Sequence, residues 1–580
     1  MGWKDSIIGD YNWAFLCLPS FKHKRAAPPF YGKDEKISLV MATIMGLQHA
    51  LSMVGGIITP PLLISSGFTP EGQNYLVSAA LIVSSIASLI QIIQIPIPFT
   101  RLVIGSGLLS VMGISFSFVP IAEQVIATLN QCTCAGVACS PGGTCDTCTT
   151  PLEGNCLTEE KAYGKILGTI LVCCWYQVLV SVCPPRALRR IFPPVVTGSC
   201  LILLGISLVT TGFQEWGGGS YCASQVLTTK ALCTDGEVSL PFGHRYYLGL
   251  GLVVFFALVF NEIFGSPFMR NIQVIVGLTV GMIVASSVHV SDCSGGTCKR
   301  LRYVTGQEIS SAKWVTFLWT HRFPIGFYAP AVLPCLFAFM VTTMECIGDV
   351  TATTEASMLE PVGPAFERTI QGATLADGLN SFWGALATLT PVTTYAQNNG
   401  VISLSRCASR RAGVACCCWL FLLGVIAKFA AIILSIPSAV LGAMTTFLFT
   451  GVIVSGIHVL NLREGLTRRN RFIAIMALGV GLGVNLVPAW VNITGQAEYP
   501  NQGNFWPVNP NWSPGFRGFR DSLIIVLSNG FSTGGFIAVF LNLAIPFDST
   551  TKPDHADPSL RENSNDPKAA LPIDGKLAEP

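Results

Sequence analysis

The stretch Ile37–Pro70, ISLVMATIMGLQHALSMVGGIITPPLLISSGFTP, contains no Asp, Glu, Lys or Arg. A bilayer core requires about 20 predominantly apolar residues per helix, so this run reads as a membrane span with its flanks. Working outward from it, charge-free runs recur at residues 72–100, 102–122, 166–185, 191–214, 271–291, 323–344, 429–462, 472–497 and 522–547. Roughly 12 to 14 spans fit into them. The whole chain agrees: of 580 residues, 51% are hydrophobic and 12% charged, and the mean hydropathy is +0.55. A soluble domain carries about twice that charged share. The composition excludes a soluble enzyme and a receptor with a single anchor. A net charge of +3 supplies no basic stripe for nucleic acid.

The flanks differ in kind. Residues 1–36 hold Lys4, Asp5, Asp10, Lys22, Lys24, Arg25 and the cluster Lys33-Asp34-Glu35-Lys36, with no short apolar core that a cleavable signal would need. They are expected to be a cytosolic N-terminal segment. Residues 548–580 mix charged residues, Pro and Asn with few large apolar side chains, too few to bury a core. A disordered cytosolic tail is expected there.

An even number of spans keeps both termini in the cytosol, and basic clusters fall where that count places cytosolic loops: Arg186, Arg189 and Arg190; Arg406, Arg410 and Arg411; Arg463, Arg468, Arg469 and Arg471. Loops counted as outside carry cysteines in even groups instead: Cys132, Cys134, Cys139, Cys145, Cys148 and Cys156, then Cys222 and Cys233, then Cys293 and Cys298. Even counts on an oxidising face read as disulfides, although the pairing of the six is open. Cys145 and Cys148 have zinc-ligand spacing, but no histidine or second matching pair joins them, so no metal is expected. The other cysteines lie in or beside apolar runs and read as packing residues. Asn492-Ile493-Thr494 and Asn511-Trp512-Ser513 are glycosylation sequons in a loop counted as outside.

Ionisable and amide side chains in hydrocarbon are costly unless they face a cavity or a partner, and so mark function. Gln48 and His49 lie in the first span, Glu345 and Asp349 in the eighth, Asp377 and Asn380 in the ninth, and Gln397, Asn398 and Asn399 open the tenth. Glu345 and Asp349, four apart, share one helix face. Gly105-Ser106-Gly107 in the third span and Gln397-Asn398-Asn399-Gly400 in the tenth would each break a regular helix. Breaks at matching positions of two halves mark transporters built from inverted repeats, with substrate at the midplane. The expected fold is an all-α polytopic membrane protein of about 14 transmembrane helices. Residues 37–290 and 323–547 form two inverted seven-helix repeats, separated by an extracellular loop over 291–322, with spans three and ten broken.

The segment Gln397-Asn398-Asn399-Gly400-Val401-Ile402-Ser403-Leu404-Ser405-Arg406 resembles the signature of the nucleobase-ascorbate transporter family. That signature has an acidic, Gln or Pro residue, then Asn-x-Gly, four variable positions, Thr, and a basic or Gly residue. Gln48-His49-Ala50, Gly105-Ser106-Gly107, Glu345-Cys346-Ile347-Gly348-Asp349, Ala376-Asp377-Gly378 and Thr467-Arg468-Arg469-Asn470-Arg471-Phe472 resemble, in order, the fungal uric acid and xanthine permease branch. The resemblance implies a core domain moving against a gate domain in an elevator manner, a homodimer in the plasma membrane, and proton-coupled import of oxidised purines. It implies no enzyme activity and no cofactor beyond the coupling proton. Glu345 and Gln397 correspond to the family's purine-binding pair, Phe116 to its stacking aromatic, and Asp377 and Asn398 to supporting residues. Arg471 and Phe531 correspond to gate positions. Asn529 stands where Thr is usual beside the gate phenylalanine, and Ser405, followed by Arg406, stands where the signature has Thr.

The residue types suit a purine. Xanthine and urate are flat rings edged with N–H donors and C=O acceptors. A Gln397 amide offers one of each in a plane, Glu345 accepts ring N–H groups through charge-assisted bonds, and Phe116 adds a stacking face. A broken tenth helix would also present backbone N–H groups near Ala396 and Gln397 to a carbonyl or anion. Proton coupling needs a titratable group with access to both sides; Asp349, Asp377 and His49 are the candidates, with Gln48 in support, and Glu345 itself could carry the proton. Two rivals remain. A transporter of a small anion on the same fold would give the Gln397 amide edge nothing to match, and Glu345 would repel the anion; ascorbate is a closer competitor, but family members that carry it tend to have Pro at the position of Gln397. An intramembrane aspartyl protease would pair Asp349 with Asp377, but Gly-x-Gly-Asp is absent from Cys346-Ile347-Gly348-Asp349.

Overall fold

The computed structural model describes residues 13–17, 28–99, 102–130, 132–134, 137–138, 153–154, 157–183, 193–219, 222–223, 232–292, 299–304, 306–360, 363–395, 397–460, 467–487 and 512–546. The tail over 548–580, the sequon at 492–494 and Asn511 of the second, the basic loops around Arg186 and Arg463, and Cys293 with Cys298 lie outside these residues. So do Cys139, Cys145, Cys148 and Cys156.

The first half runs α1 (Leu39–Ile64), α2 (Pro70–Ile92), strand β1 (Met112–Ile114), α3 (Val119–Asn130), α4 (Glu159–Cys173), α5 (Trp175–Val182), α6 (Pro194–Trp216), α7 (Arg245–Phe264) and α8 (Gln273–Ser287). The second half runs α9 (Val332–Ala356), α10 (Pro364–Leu386), β2 (Val392–Thr394), α11 (Gln397–Ser405), α12 (Arg410–Val425), α13 (Ala427–Leu434), α14 (Ser438–Leu460), α15 (Arg468–Leu486), α16 (Pro514–Ser528) and α17 (Gly530–Ala544). One order occurs twice: two long helices, a three-residue strand leading into a half-helix, an interrupted helix, a long helix. It appears as α1 to α6 with β1, and again as α9 to α14 with β2. The two-repeat, all-α membrane architecture expected from the broken spans is therefore present.

Among the described residues seven helices are long and apolar enough to cross a membrane, or eight with α16 and α17 taken as one span bent by 94°. The shortfall against the expected count has a physical origin. Where a crossing is split into strand and half-helix, or interrupted as at Ile426 between α12 and α13, no single helix meets the length requirement.

Lipid tails are as apolar as leucine, so helix association in a membrane relies on close packing and interhelical hydrogen bonds. The contact between α6 and α14 shows the first. A Cβ on Gly198 would sit 2.8 Å from Gly456 O, one on Gly205 2.6 Å from Ile453, and one on Gly442 2.1 Å from Trp216 N. The bundle of α1, α2, α10 and α12 shows the second. Ser85 Oγ donates to Cys417 O at 2.9 Å, Trp419 Nε1 to Thr43 O at 3.2 Å, and Asn380 Nδ2 to Ala87 O at 3.2 Å.

Cys222 and Cys233 form a disulfide with a Cα–Cα distance of 5.4 Å, as their even grouping implied. All eleven cysteines read as packing residues are free, and eight of them are buried. Lys428, a lone cation in an apolar run, donates to Ile309 O and to Ser310 O (3.0 Å) and lies 5.5 Å from the Trp314 ring centroid. It snorkels out of the helix onto the loop before α9.

Candidate functional site

The centre of the fold is the antiparallel pairing of β1 with β2, in register Val392↔Ile114, Thr393↔Gly113 and Thr394↔Met112. Ser115 N donates to Pro391 O (2.8 Å) and Tyr395 N to Val111 O (3.1 Å), extending the ladder at both ends. The pairing satisfies backbone groups that have left a helix inside a bilayer, and Met112 N donates to Ser88 Oγ at 2.8 Å. Each strand then feeds a helix: β1 leads through a 3-10 turn, Phe116–Phe118, into α3, and β2 leads into α11. Two helix N-termini, whose first N–H groups have no intrahelical partner, thus flank the crossing.

The breaks lie where sequence alone placed them in part. Gly105 and Gly107 adopt φ of +94° and +73°, and a Cβ on Gly105 would lie 2.4 Å from Ile90 O. Only glycine fits there. In the second repeat the position is corrected: Asn398, Asn399 and Gly400 are helical, inside α11. The break is the preceding segment, which contains Thr388 at φ +72° and β2. The asparagines serve as side-chain anchors rather than as helix breakers. Ala396 lies outside the described residues.

Helix α9 supplies a polar stripe facing both breaks. Glu345 Oε1 accepts from Ser117 Oγ at 3.4 Å, on the turn after β1. One turn on, Asp349 Oδ2 accepts from Thr394 Oγ1 at 3.1 Å, on β2 itself. A further turn on, Thr353 Oγ1 donates to Asn399 Oδ1 at 2.6 Å, on α11. The Phe116 ring stacks on Tyr395 (centroids 5.9 Å apart, 11° between planes) and meets Phe449 of α14 edge-on at 5.4 Å. Tyr395 OH lies 2.8 Å from Ile114 O and 3.0 Å from Gly56 O, tying β2 to β1 and α1. Gln397, first residue of α11, has an exposed side chain, whereas Asn398 is buried.

The supporting residues form two further connections. His49 Nδ1 lies 2.7 Å from Asn398 Oδ1, and Asn398 Nδ2 donates to Leu109 O at 2.7 Å. Since that amide nitrogen is committed to a carbonyl, its oxygen accepts and His49 Nδ1 is the protonated nitrogen. Asp377, fully buried, accepts from Gln177 Nε2 at 2.5 Å and from Thr393 Oγ1 at 3.4 Å. Each of the two aspartates has its own partners, an arrangement that suits support of β2 rather than a protease dyad. Gln48 is buried, with neither amide atom hydrogen-bonded among the described residues.

The structure brings Glu345, Asp349, Phe116, Asn398, His49 and Asp377 around one strand crossing, with Gln397 at its edge. The residues that the resemblance assigns to a gate lie elsewhere. Asn529 and Phe531 sit at the bend between α16 and α17, and Phe531 lies 6.1 Å from Phe337, two turns before Glu345 on α9. Arg471 is exposed near the start of α15, about 15 Å along that helix from Gly481, the residue that packs on Gly530. Ser405 is buried with Oγ donating back to Val401 O at 2.7 Å, and Arg406 turns the chain at φ +54°. Sequence reading missed Ser117, Gln177, Thr393 and Tyr395. Hydroxyl and aromatic residues bear no mark in an apolar run, although Thr393-Thr394-Tyr395 directly precedes the signature; Gln177, an amide inside the charge-free run 166–185, carries the same signal as Gln48. Arg469, assigned above to a basic loop, is instead buried, donating to Asn542 O at 2.6 Å and Ile545 O at 3.1 Å at the end of α17.

Comparison with known proteins places this geometry. A profile described as the permease family matches residues 41–490. The uric acid-xanthine permease of Emericella nidulans is 42% identical over 550 residues, covering 94% of this chain and 88% of that protein. A purine permease of the same fungus is 40% identical over 554 residues, covering 94% and 89%. Among solved structures, the transmembrane domain of a cyanobacterial bicarbonate transporter, BicA, superposes with a TM-score of 0.50 at 12% identity, covering 77% of this chain and 96% of that one, a likeness of fold alone. Matched over most of its length by profile and relatives, and carrying the nucleobase-ascorbate transporter signature from Gln397 onward, this chain belongs to the permease family and is a multi-pass membrane transporter, not an enzyme.

Proposed function

We propose that the chain imports oxidised purines, xanthine and uric acid, across the plasma membrane by proton symport. The observation that carries this reading is the α9 stripe, in which Glu345 joins the first broken segment and Asp349 the second. A ligand held between the two helix N-termini would meet a carboxylate for its N–H groups, the Gln397 amide for an adjacent donor–acceptor pair, and the Phe116 ring at its flat side. The names of the relatives, uric acid-xanthine permease and purine permease, support the same substrate class. Glu345, Asp349, Asp377 and His49 are the groups through which a proton could be linked to binding. Residues 37–290 and 323–547 are then two sets of seven crossings, with 291–322 outside and both termini cytosolic. The bundle that carries β1 and β2 moves as a core against a gate containing α6, α14 and α17, in a homodimer.

The test is uptake of radiolabelled xanthine in cells lacking their own purine permeases, with and without a proton uncoupler and with urate, hypoxanthine, uracil and ascorbate as competitors. Saturable uptake blocked by urate and by the uncoupler, but not by ascorbate, is expected. Absence of xanthine uptake by protein shown to be at the cell surface would move the assignment to ascorbate or another anion.

A further inference from the structure

We propose that the groove formed where the N-terminal ends of α1 and α12 meet the C-terminal end of α2 binds an anionic phospholipid. The groove encloses about 1040 Å³ and has two chemically distinct parts. Its apolar part is a stripe. On α12, Arg411, Val414, Cys418 and Leu422 are all exposed and spaced three to four residues apart, so they lie on one helix face. Leu39 and Thr43 on α1 form the facing wall, and Ile93 closes it beside α2; Leu39 is 69% exposed.

The polar part is a rim of Lys33, Lys36, Arg410 and Arg411 against Asp34 and Glu35. The acidic pair is engaged: Asp34 bonds Arg410, and Glu35 Oε2 accepts from Gly32 N at 2.9 Å. Arg411 commits one N–H, from Nη1 to Ile37 O at 3.3 Å, and Lys36 is exposed. A net positive rim therefore stands at the head of an apolar stripe. It is also built in advance. The rim segment is fixed to the start of α12 by Tyr31 N to Arg406 O (2.9 Å), Ala408 N to Tyr31 O (2.9 Å), Arg410 N to Lys33 O (3.0 Å) and Ser409 Oγ to Glu35 O (2.9 Å). A site held in one geometry loses little ordering entropy on binding.

The two parts together select the ligand. A phosphodiester matches the guanidinium fork of Arg411 and the Lys36 ammonium. An acyl chain lies along Val414, Cys418 and Leu422. Free phosphate gains nothing from the stripe, and a headgroup of zero net charge gains less from a positive rim than one of net negative charge.

The experiment is native mass spectrometry of the full-length protein, delipidated and titrated with phosphatidylserine, with phosphatidylcholine and with inorganic phosphate. Phosphatidylserine is expected to bind more tightly than phosphatidylcholine, and phosphate not to displace it. Lys36→Gln and Arg411→Gln should each weaken phosphatidylserine roughly fivefold, as Val414→Glu should through the stripe, while Lys161→Gln at the remote start of α4 should have no effect. Arg411→Gln also removes a bond to the backbone; Lys36→Gln does not, so a folding defect in the first leaves the second decisive. Equal binding of the two lipids, unchanged binding by Lys36→Gln and Val414→Glu, or displacement by phosphate would overturn the proposal.

Discussion

His49 and Asn398, 349 residues apart in sequence, are joined by a 2.7 Å contact between His49 Nδ1 and Asn398 Oδ1. It couples the middle of the first long helix to the second residue of α11, and Asn398 passes the connection on to Leu109 O at 2.7 Å. The side chain next to Gln397, in the second repeat, is thereby held at two points to the first.

Asn398→Ala should therefore leave His49 and Leu109 O unsatisfied in a buried site, a loss of about 1 to 3 kcal/mol for each. The expected outcome is a lower Tm of the purified protein together with lost uptake. His49→Gln, which retains a donor, should be milder than His49→Ala. Equal melting of the three variants and the parent would show that the contact bears no load.

Asp377 and Gln177 provide a second test. Their 2.5 Å bond is buried between α5 and α10, so removing Gln177 leaves the Asp377 side chain with only the longer bond from Thr393 among the described residues. Gln177→Ala and Asp377→Asn should each reduce uptake, and the double variant should lose less than the sum, with a coupling of about 0.5 to 3 kcal/mol. Additive losses in a double-mutant cycle would count against a direct pairing.

Glu345→Gln and Gln397→Ala should each abolish xanthine uptake while surface delivery stays normal, since Gln397 is exposed and, among the described residues, Glu345 has the single hydrogen bond from Ser117. Ser117→Ala should act in the same direction but more weakly, because it removes one neutral donor of about 1 kcal/mol. Wild-type uptake by Glu345→Gln would remove this carboxylate from the site.

Phe531 is fully buried against Phe337, and Asn529 Nδ2 donates to Ile525 O at 2.9 Å within the bend. Asn529→Thr keeps a polar group and should alter which bases compete for uptake rather than eliminate it. Phe531→Ala should also destabilise, by about 3 to 5 kcal/mol for a large aromatic removed from a packed site. Competition profiles identical to the parent in both variants would argue against a gate at the bend.

Gly105→Ala forces a Cβ to within 2.4 Å of Ile90 O at φ +94°. It should cost at least about 1 kcal/mol and reduce surface protein. Gly400→Ala, with open space at its Cβ and inside α11, should be tolerated for folding. That contrast separates the true break in the first repeat from the apparent one in the second.

Much of this protein is decided by local sequence. The charge-free runs place the long helices α1, α2, α6, α9 and α14, because transfer of a helix into lipid depends on the summed hydropathy of about 20 neighbouring residues. The same cost identifies Glu345, Asp349, Asp377 and His49 as exceptional, without any knowledge of the fold. What only the tertiary structure decided is who answers them. Ser117 for Glu345, Thr394 for Asp349, Gln177 for Asp377 and Asn398 for His49 are brought together by the β1–β2 pairing and by helix packing. A strand of three residues inside a bilayer has no composition of its own to announce it. It exists because backbone groups freed from one helix in lipid must find partners on another, and Met112 and Thr394 meet only when both repeats have folded.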